Sequence, residues 1–404
     1  MRGMPSVVAK QEPYEQEFDR WLEPILEALQ HKVRRKWAPL YLRGLLAPGD
    51  RKSVEPMAGR VAPDDVAQLH HFVAASPWEC GPVEDALAAK ANDLVGGKDA
   101  HLIIDDTALP KKGELSVGVA PQYCGALGKQ ANCQVLVSTT LARDEIPVAV
   151  GLRLFLPEGW ATDPVRRAKA YVPEHVVHHP KWQIALVEID RLIGLGVDFG
   201  DVLADAGYGM CGEFRNGLTE RGLLWTVGIL STQGVYSVDV RIDRPQPVRV
   251  GRPPTRGVPS ERAVSAEKHI AALGPHAFRA VTWRRGTKGP LRAPFAAVRV
   301  RVGDGGRVKD GVHLPGDEAW LIAEKRTDET RYYLSNRPSS ASLKTLASSV
   351  KARWSCEQAH QQMKEELGLD HFEGRSWHGL HHHAVLTMVA YAFLQHVRVR
   401  ENKA

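Results

Sequence analysis

Residues 101–106 read HLIIDD. Leu102, Ile103 and Ile104 run straight into two acids, Asp105 and Asp106. A short apolar run of this kind suits a buried strand, and its acids would then stand at the strand's end. The pattern returns at 201–205, DVLAD, where Asp205 follows another apolar run. Between the two lie CQVLVSTTLA (133–142) and IPVAVGLRLFLP (146–157), rich in Val, Ile, Leu and Thr and joined by a short polar turn. They read as a hairpin. WQIALVEIDRLIGLG (182–196) carries a helical stripe and ends in Gly. After DVLAD come a helical EFRNGLTERG (213–222) and a strand, LLWTVGIL (223–230). The first three strands can form an antiparallel meander, and the later ones arrive by crossovers and would pair in parallel. The expected fold is α/β, a mixed sheet flanked by helices.

Residues on either side differ. LEPILEAL and VAQLHHFVAA, within 14–95, have helical spacing, and PDD (63–65) resembles a helix start. Between them lies the basic HKVRRKW (31–37). Residues 1–98 therefore read as a helical domain that either binds DNA or presents a solvated basic face. The first part of the core runs over 99–236. Residues 237–316 read as a basic, mostly β insertion, with 16 Lys or Arg against 5 Asp or Glu in 241–315 and Pro and Gly in RPQPVRVGRPP and GRVKDG. EAWLIAEKR and TRYYLSN restore the sheet pattern, and 317–404 completes the core and ends in helices.

The chain has 404 residues, a net charge of +6 and 43% hydrophobic residues, a globular composition that favours a polyanionic partner. Its five Cys form no CxxC pair and read as reduced thiols of a cytosolic protein. The first residues lack the apolar core of a signal peptide. AVLTMVAYAFL (384–394) is too short to cross a bilayer, so no membrane partner is expected.

RWSCEQAHQQMKEELG (353–368) reads as one helix up to Gly368, with Arg353, Glu357 and Lys364 on one face. If that helix packs beside the edge holding Asp105 and Asp205, three carboxylates converge. Alone they would repel one another strongly. A divalent cation removes the problem, and hard oxygen ligands suit Mg²⁺ or Mn²⁺, two of which can clamp an in-line phosphoryl displacement.

Four stretches together resemble the DDE transposases of bacterial insertion sequences, which have a ribonuclease-H-like core. They are IIDDTALPKKG (103–113), SVGVAPQYCGALGKQANCQV (116–135), VLADAGYG (202–209) and R-x3-E-x6-K at Arg353, Glu357 and Lys364. The resemblance spans roughly residues 30–395. It implies cut-and-paste transposition of an insertion sequence by metal-dependent phosphodiester hydrolysis and strand transfer. It implies catalytic, metal-holding Asp105, Asp205 and Glu357, and two Mg²⁺ ions with Mn²⁺ as substitute. Relatives show Asp-Glu-Thr or Asp-Asp-Thr at the first acid, which points to Asp105 over Asp106. Arg353 and Lys364 would hold DNA phosphates, and Trp354 would stack a flipped base. The expected partners are element ends and target DNA, with a homodimer on DNA in the bacterial cytoplasm at the nucleoid. The relatives' Tyr three residues before the Arg is Val350 here. The alternatives are a metal-dependent endonuclease without strand transfer and a domesticated, catalytically silent DNA-binding protein.

HGLHHH (378–383) and HHP (178–180) could suggest zinc, but polar or phosphate contacts fit better, because no Cys pair accompanies them. Lys111 and Lys112 follow the first acid and would touch DNA or form a solvated turn. Asn336 and Arg337 end a strand and read as non-catalytic. No nucleophile elbow supports acyl transfer.

Overall fold

The computed structural model describes residues 8–243, 257–286, 289–306 and 313–403. In chain order the elements are helices α1 (Val8–Ala28), α2 (Lys32–Leu46), α3 (Val54–Val61), α4 (Val66–Ala74) and α5 (Cys80–Val95), then strands β1 (Gly97–Pro110), β2 (Ala120–Cys124), β3 (Lys129–Arg143) and β4 (Ile146–Leu154). Helices α6 (Glu158–Ala161), α7 (Pro164–Lys169) and α8 (Lys181–Gly194) lead to β5 (Phe199–Ala204), α9 (Ala206–Gly209), α10 (Gly212–Glu220) and β6 (Trp225–Ile229). Next come β7 (Gly234–Ser237), β8 (Ile242–Asp243), β9 (Val258–Pro259), β10 (Val264–Ser265), α11 (Ala266–Ala272), β11 (Arg279–Gly286), β12 (Gly289–Val302), β13 (Glu318–Lys325) and β14 (Thr330–Ser335). Helices α12 (Leu343–Ala352), α13 (Trp354–Glu365) and α14 (Trp377–Lys403) close the chain. Two compact units result, Met1–Phe199 with Ser355–Ala404, and Gly200–Trp354.

In the first unit β1, β3 and β4 form the expected antiparallel meander. β3 is buried at every position from Cys133 to Ala142. A strand with no exposed face must be covered on both sides. α8 packs on β3, and α5 and α14 pack on β4. α14 is buried all round from Leu380 to Phe393, the pattern of a helix inside a core rather than on its surface. The N-terminal helices α2, α4 and α5 pack against it. Among the described residues no helix is long and apolar enough to cross a membrane.

The structure corrects the sequence reading of HLIIDD. β1 does not stop at the acids, because its ladder with β3 continues from Asp105↔Ser138 to Pro110↔Cys133. Thr107, Ala108 and Leu109 are buried again beyond them. The acids interrupt the apolar run without interrupting the backbone pairing, and Pro110, which cannot donate to the ladder, ends the strand. APQYC, not read as a strand from sequence, pairs with the start of β3 as β2.

The second unit holds a mixed sheet. β5 and β6 are parallel, and β14, β13 and β12 follow antiparallel from β6. β12 also pairs with β11 and β7. The 237–316 stretch is not wholly β, since α11 lies within it. RPQPVRVGRPP (244–254) and most of GRVKDG (306–311) lie outside the described residues. α12 packs Leu346, Ala347 and Val350 against Val281, Phe295, Ile322 and Tyr333. Val350, at the position where relatives carry Tyr, is thus a core residue.

The DAGYG stretch has a packing reason. A Cβ added to Gly209 would lie 1.9 Å from the carbonyl oxygen of Gly228 on β6. That contact is impossible for any other residue without moving the strand.

Candidate active site

Successive side chains of a strand point to opposite faces, so Asp105 and Asp106 must part company. Asp106 forms an ion pair with Lys181, the first residue of α8, at 2.5 Å. Asp105 accepts a hydrogen bond from the Cys356 thiol of α13 at 3.3 Å and from the Asp106 N–H at 2.8 Å. On neighbouring β3 the Ser138 hydroxyl donates to the Asp105 backbone oxygen at 3.0 Å and lies 2.7 Å from His360 Nε2. The hydroxyl's one proton goes to Asp105, so His360 supplies the proton of the second bond.

α13 brings Cys356 and His360 to this point because residues four apart share a helix face. Both are buried, and the intervening Glu357 is exposed. Helix geometry thus places Glu357 one residue from the group that touches Asp105, but turned out of the packed interface. Lys364 follows on the same helix, half-buried. Burial lowers its pKa, and the nearby carboxylates of Asp370 and Asp105 oppose that shift.

Two boundaries differ from the sequence reading of 353–368. Arg353 is a joint between α12 and α13, with φ −55° and ψ −30°, and is not part of α13. α13 ends at Glu365, three residues before Gly368, whose φ of +68° is the left-handed value that glycine adopts without strain. Trp354, the first residue of α13, is 52% exposed and so is not a core residue.

In the second unit Asp205 does stand directly after its strand. Its Oδ1 accepts from the N–H groups of Gly207 and Tyr208 at 2.9 and 3.3 Å and so caps α9. The carboxylate is oriented by the backbone, a direct result of the Asp-Ala-Gly-Tyr spacing.

Other candidates prove structural. Asn336 accepts from the Trp225 N–H and donates to the Leu223 carbonyl. Arg337 pairs with buried Asp201, which also accepts from Ser349. Lys111 is no solvated turn residue, because its ammonium donates to the Phe372 carbonyl and burial lowers its pKa. His381, His382 and His383 are buried, which rules out phosphate contacts for them and leaves polar ones. Burial pushes each pKa down to about 4. His382 has carbonyls of Val73 and Trp78 against both nitrogens, which favours a charged ring, but burial is the larger effect.

Sequence reasoning missed Cys356 and His360. Their four-residue spacing on a helix was the available signal, hidden by the more conspicuous charges around them.

The strand acid backed by α13 and the capping acid after β5 fall within one matching stretch, because residues 24–290 match the family described as DDE superfamily endonuclease. The chain belongs to the DDE superfamily endonucleases. Over 221 residues it is also 28% identical to a protein of Microchaete diplosiphon named "Probable transposase for insertion sequence element IS701". That match covers 54% of each chain, so this family member spans about half the length of its curated relative. The family match includes Asp105, Asp106 and Asp205 and ends before Arg353, Glu357 and Lys364.

Proposed function

We propose that this DDE endonuclease is the transposase of an insertion sequence, moving it by hydrolysis at the element ends followed by strand transfer to target DNA. The observation that carries the reading is the seating of α13 on Asp105. The helix bearing Glu357 is bound through Cys356 to the strand acid that opens the family's motif. The same geometry supports Asp105 over Asp106, which Lys181 already neutralises on the other side of β1. Asp205 joins this reading on motif order, as the family resemblance implies.

The donor set suits the ions that the family implies. Asp105, Asp205 and Glu357 offer hard carboxylate oxygens, the ligands Mg²⁺ and Mn²⁺ prefer. When bound there, two such ions would supply an activated water and stabilise charge on the scissile phosphate. Arg353 and Lys364 hold DNA phosphates, contacts that weaken with salt. Exposed Trp354 offers a face on which an unpaired base stacks, worth about 1–3 kcal/mol. Exposed Lys32, Arg35 and Lys36 give the helices of residues 1–98 a basic surface for DNA. Pairing of two element ends makes a homodimer the working assembly, on the bacterial nucleoid.

The test uses labelled DNA from the flanks of the gene, incubated with wild type and Glu357→Gln in Mg²⁺, Mn²⁺ or EDTA. Metal-dependent cleavage at the element boundary, lost in the mutant, is expected, with joined products once target plasmid is added. Cleavage without joining would reduce the protein to an endonuclease, and binding without cleavage to a silent DNA-binding protein.

A further inference from the structure

We propose that Asp105, Cys356 and His360 form a binding site for a thiophilic divalent cation of the zinc type. The three side chains each offer one ligand atom, and these atoms lie within 4.8 Å of one another. Tetrahedral zinc, with bonds of about 2.0–2.3 Å, sets the ligand atoms of such a set roughly 3.3–3.6 Å apart. The Cys356 Sγ to Asp105 Oδ2 separation of 3.3 Å is already at that spacing. The other separations, none above 4.8 Å, close to that spacing by side-chain movement of at most about 1.3 Å.

The setting supports the chemistry. Cys356 and His360 are four apart on α13 and share its buried face, a chelating pair on a rigid element. Asp105 is held from the other side by the ladder of β1 with β3. Ser138 bonds His360 and the Asp105 backbone carbonyl, so one hydroxyl orients the imidazole and ties it to the strand that carries Asp105. A thiolate with an imidazole selects zinc over magnesium, whereas the carboxylates of the proposed nuclease site have the opposite preference. On binding, the Cys356 S–H bond breaks and its proton leaves to solvent. The thiolate, the carboxylate and the imidazole lone pair then coordinate the ion, water completes the shell, and no group is oxidised or reduced.

Asp105 belongs to both sets of ligands. A zinc ion held by α13 therefore withdraws this carboxylate from Mg²⁺ and lowers cleavage. That consequence rests on the nuclease reading, whereas the binding itself does not.

The experiment adds Co²⁺ alone, as the spectroscopic stand-in for zinc, to the reduced full-length chain. One equivalent should produce thiolate-to-cobalt charge-transfer absorbance, which excess Zn²⁺ removes. Cys356→Ser should abolish that band, with a melting curve confirming that the variant is folded. Cys124→Ser and Cys133→Ser should keep it. Ser138→Ala should weaken Co²⁺ binding about 10–100-fold, the usual effect of losing a group that orients a ligand. A folded wild type without the band, or a band that survives Cys356→Ser, overturns the proposal. Co²⁺ binding of this kind in a chain that cleaves no DNA would uphold the site and end the nuclease reading. Cleavage without the band would do the reverse.

Discussion

On α14, His381, His382 and His383 are adjacent in sequence, yet their rings go to separate partners. His381 meets the Trp377 carbonyl, and His382 meets Val73 and Trp78. His383 joins Tyr41 to Gly368. On α13, His360 has no histidine neighbour in sequence, yet it shares one point with Cys356 and Asp105. Consecutive residues on a helix are about 100° apart, so a run of one residue type is spread around the helix, whereas a four-residue spacing is focused. The conspicuous run is spent on the core, and the inconspicuous pair converges on the strand acid.

The largest expected effect tests the functional side of that contrast. On the proposed function Glu357 is a metal-holding carboxylate whose loss removes several kcal/mol, so Glu357→Gln should slow DNA cleavage by about a thousandfold. His382→Ala, compared per folded molecule, should leave the cleavage rate near wild type. Equal losses in the two would mean that α14 serves cleavage as directly as α13 does.

Stability should rank them the other way. His382 stacks on Trp78 with ring centroids 3.7 Å apart and meets two carbonyls. Its removal leaves a cavity and unsatisfied oxygens, so His382→Ala should cost about 3 kcal/mol in chemical denaturation.

The next effect is in pH. His382 has a folded pKa of about 4 against an ordinary 6.5. A base whose folded pKa is depressed makes the unfolded chain the stronger proton binder between those values, so stability falls as pH falls. The penalty begins near pH 6.5 and is complete below pH 4, reaching about 3 kcal/mol for one such group. Melting temperature should drop over that window, and His382→Gln should flatten the slope. A slope unchanged in the variant would mean that the buried ring is not what titrates.

The smallest expected effect is Glu357→Gln on stability. The residue is exposed, so the change should stay within about 0.5 kcal/mol. A larger loss would make Glu357 a packing residue and weaken the functional contrast.

Much of the architecture was legible because burial writes itself into periodicity. CQVLVSTTLA and IPVAVGLRLFLP carry the continuous apolar character of covered strands, and both are strands of the meander. AVLTMVAYAFL is apolar on every face and lies inside the core. APQYC was not legible, since its alternation of half-buried and exposed positions gives no apolar signal. Nor was the run of β1 beyond its acids, since backbone pairing is independent of side-chain polarity. Among the candidate site residues, Asp105 and Asp205 were visible as acids after apolar runs. The partners of Asp105 were not, because Cys356 and Ser138 meet it across separations of 251 and 33 residues.

The placement of Asp105 inside a strand, with paired residues on both sides, has a dynamic consequence. A carboxylate on a loop can drift while the rest of the molecule stays folded. This one moves only if the central ladder of the meander opens, and such strands open at free energies near that of global unfolding. Amide hydrogen exchange around Asp105 should therefore be among the slowest in the first unit.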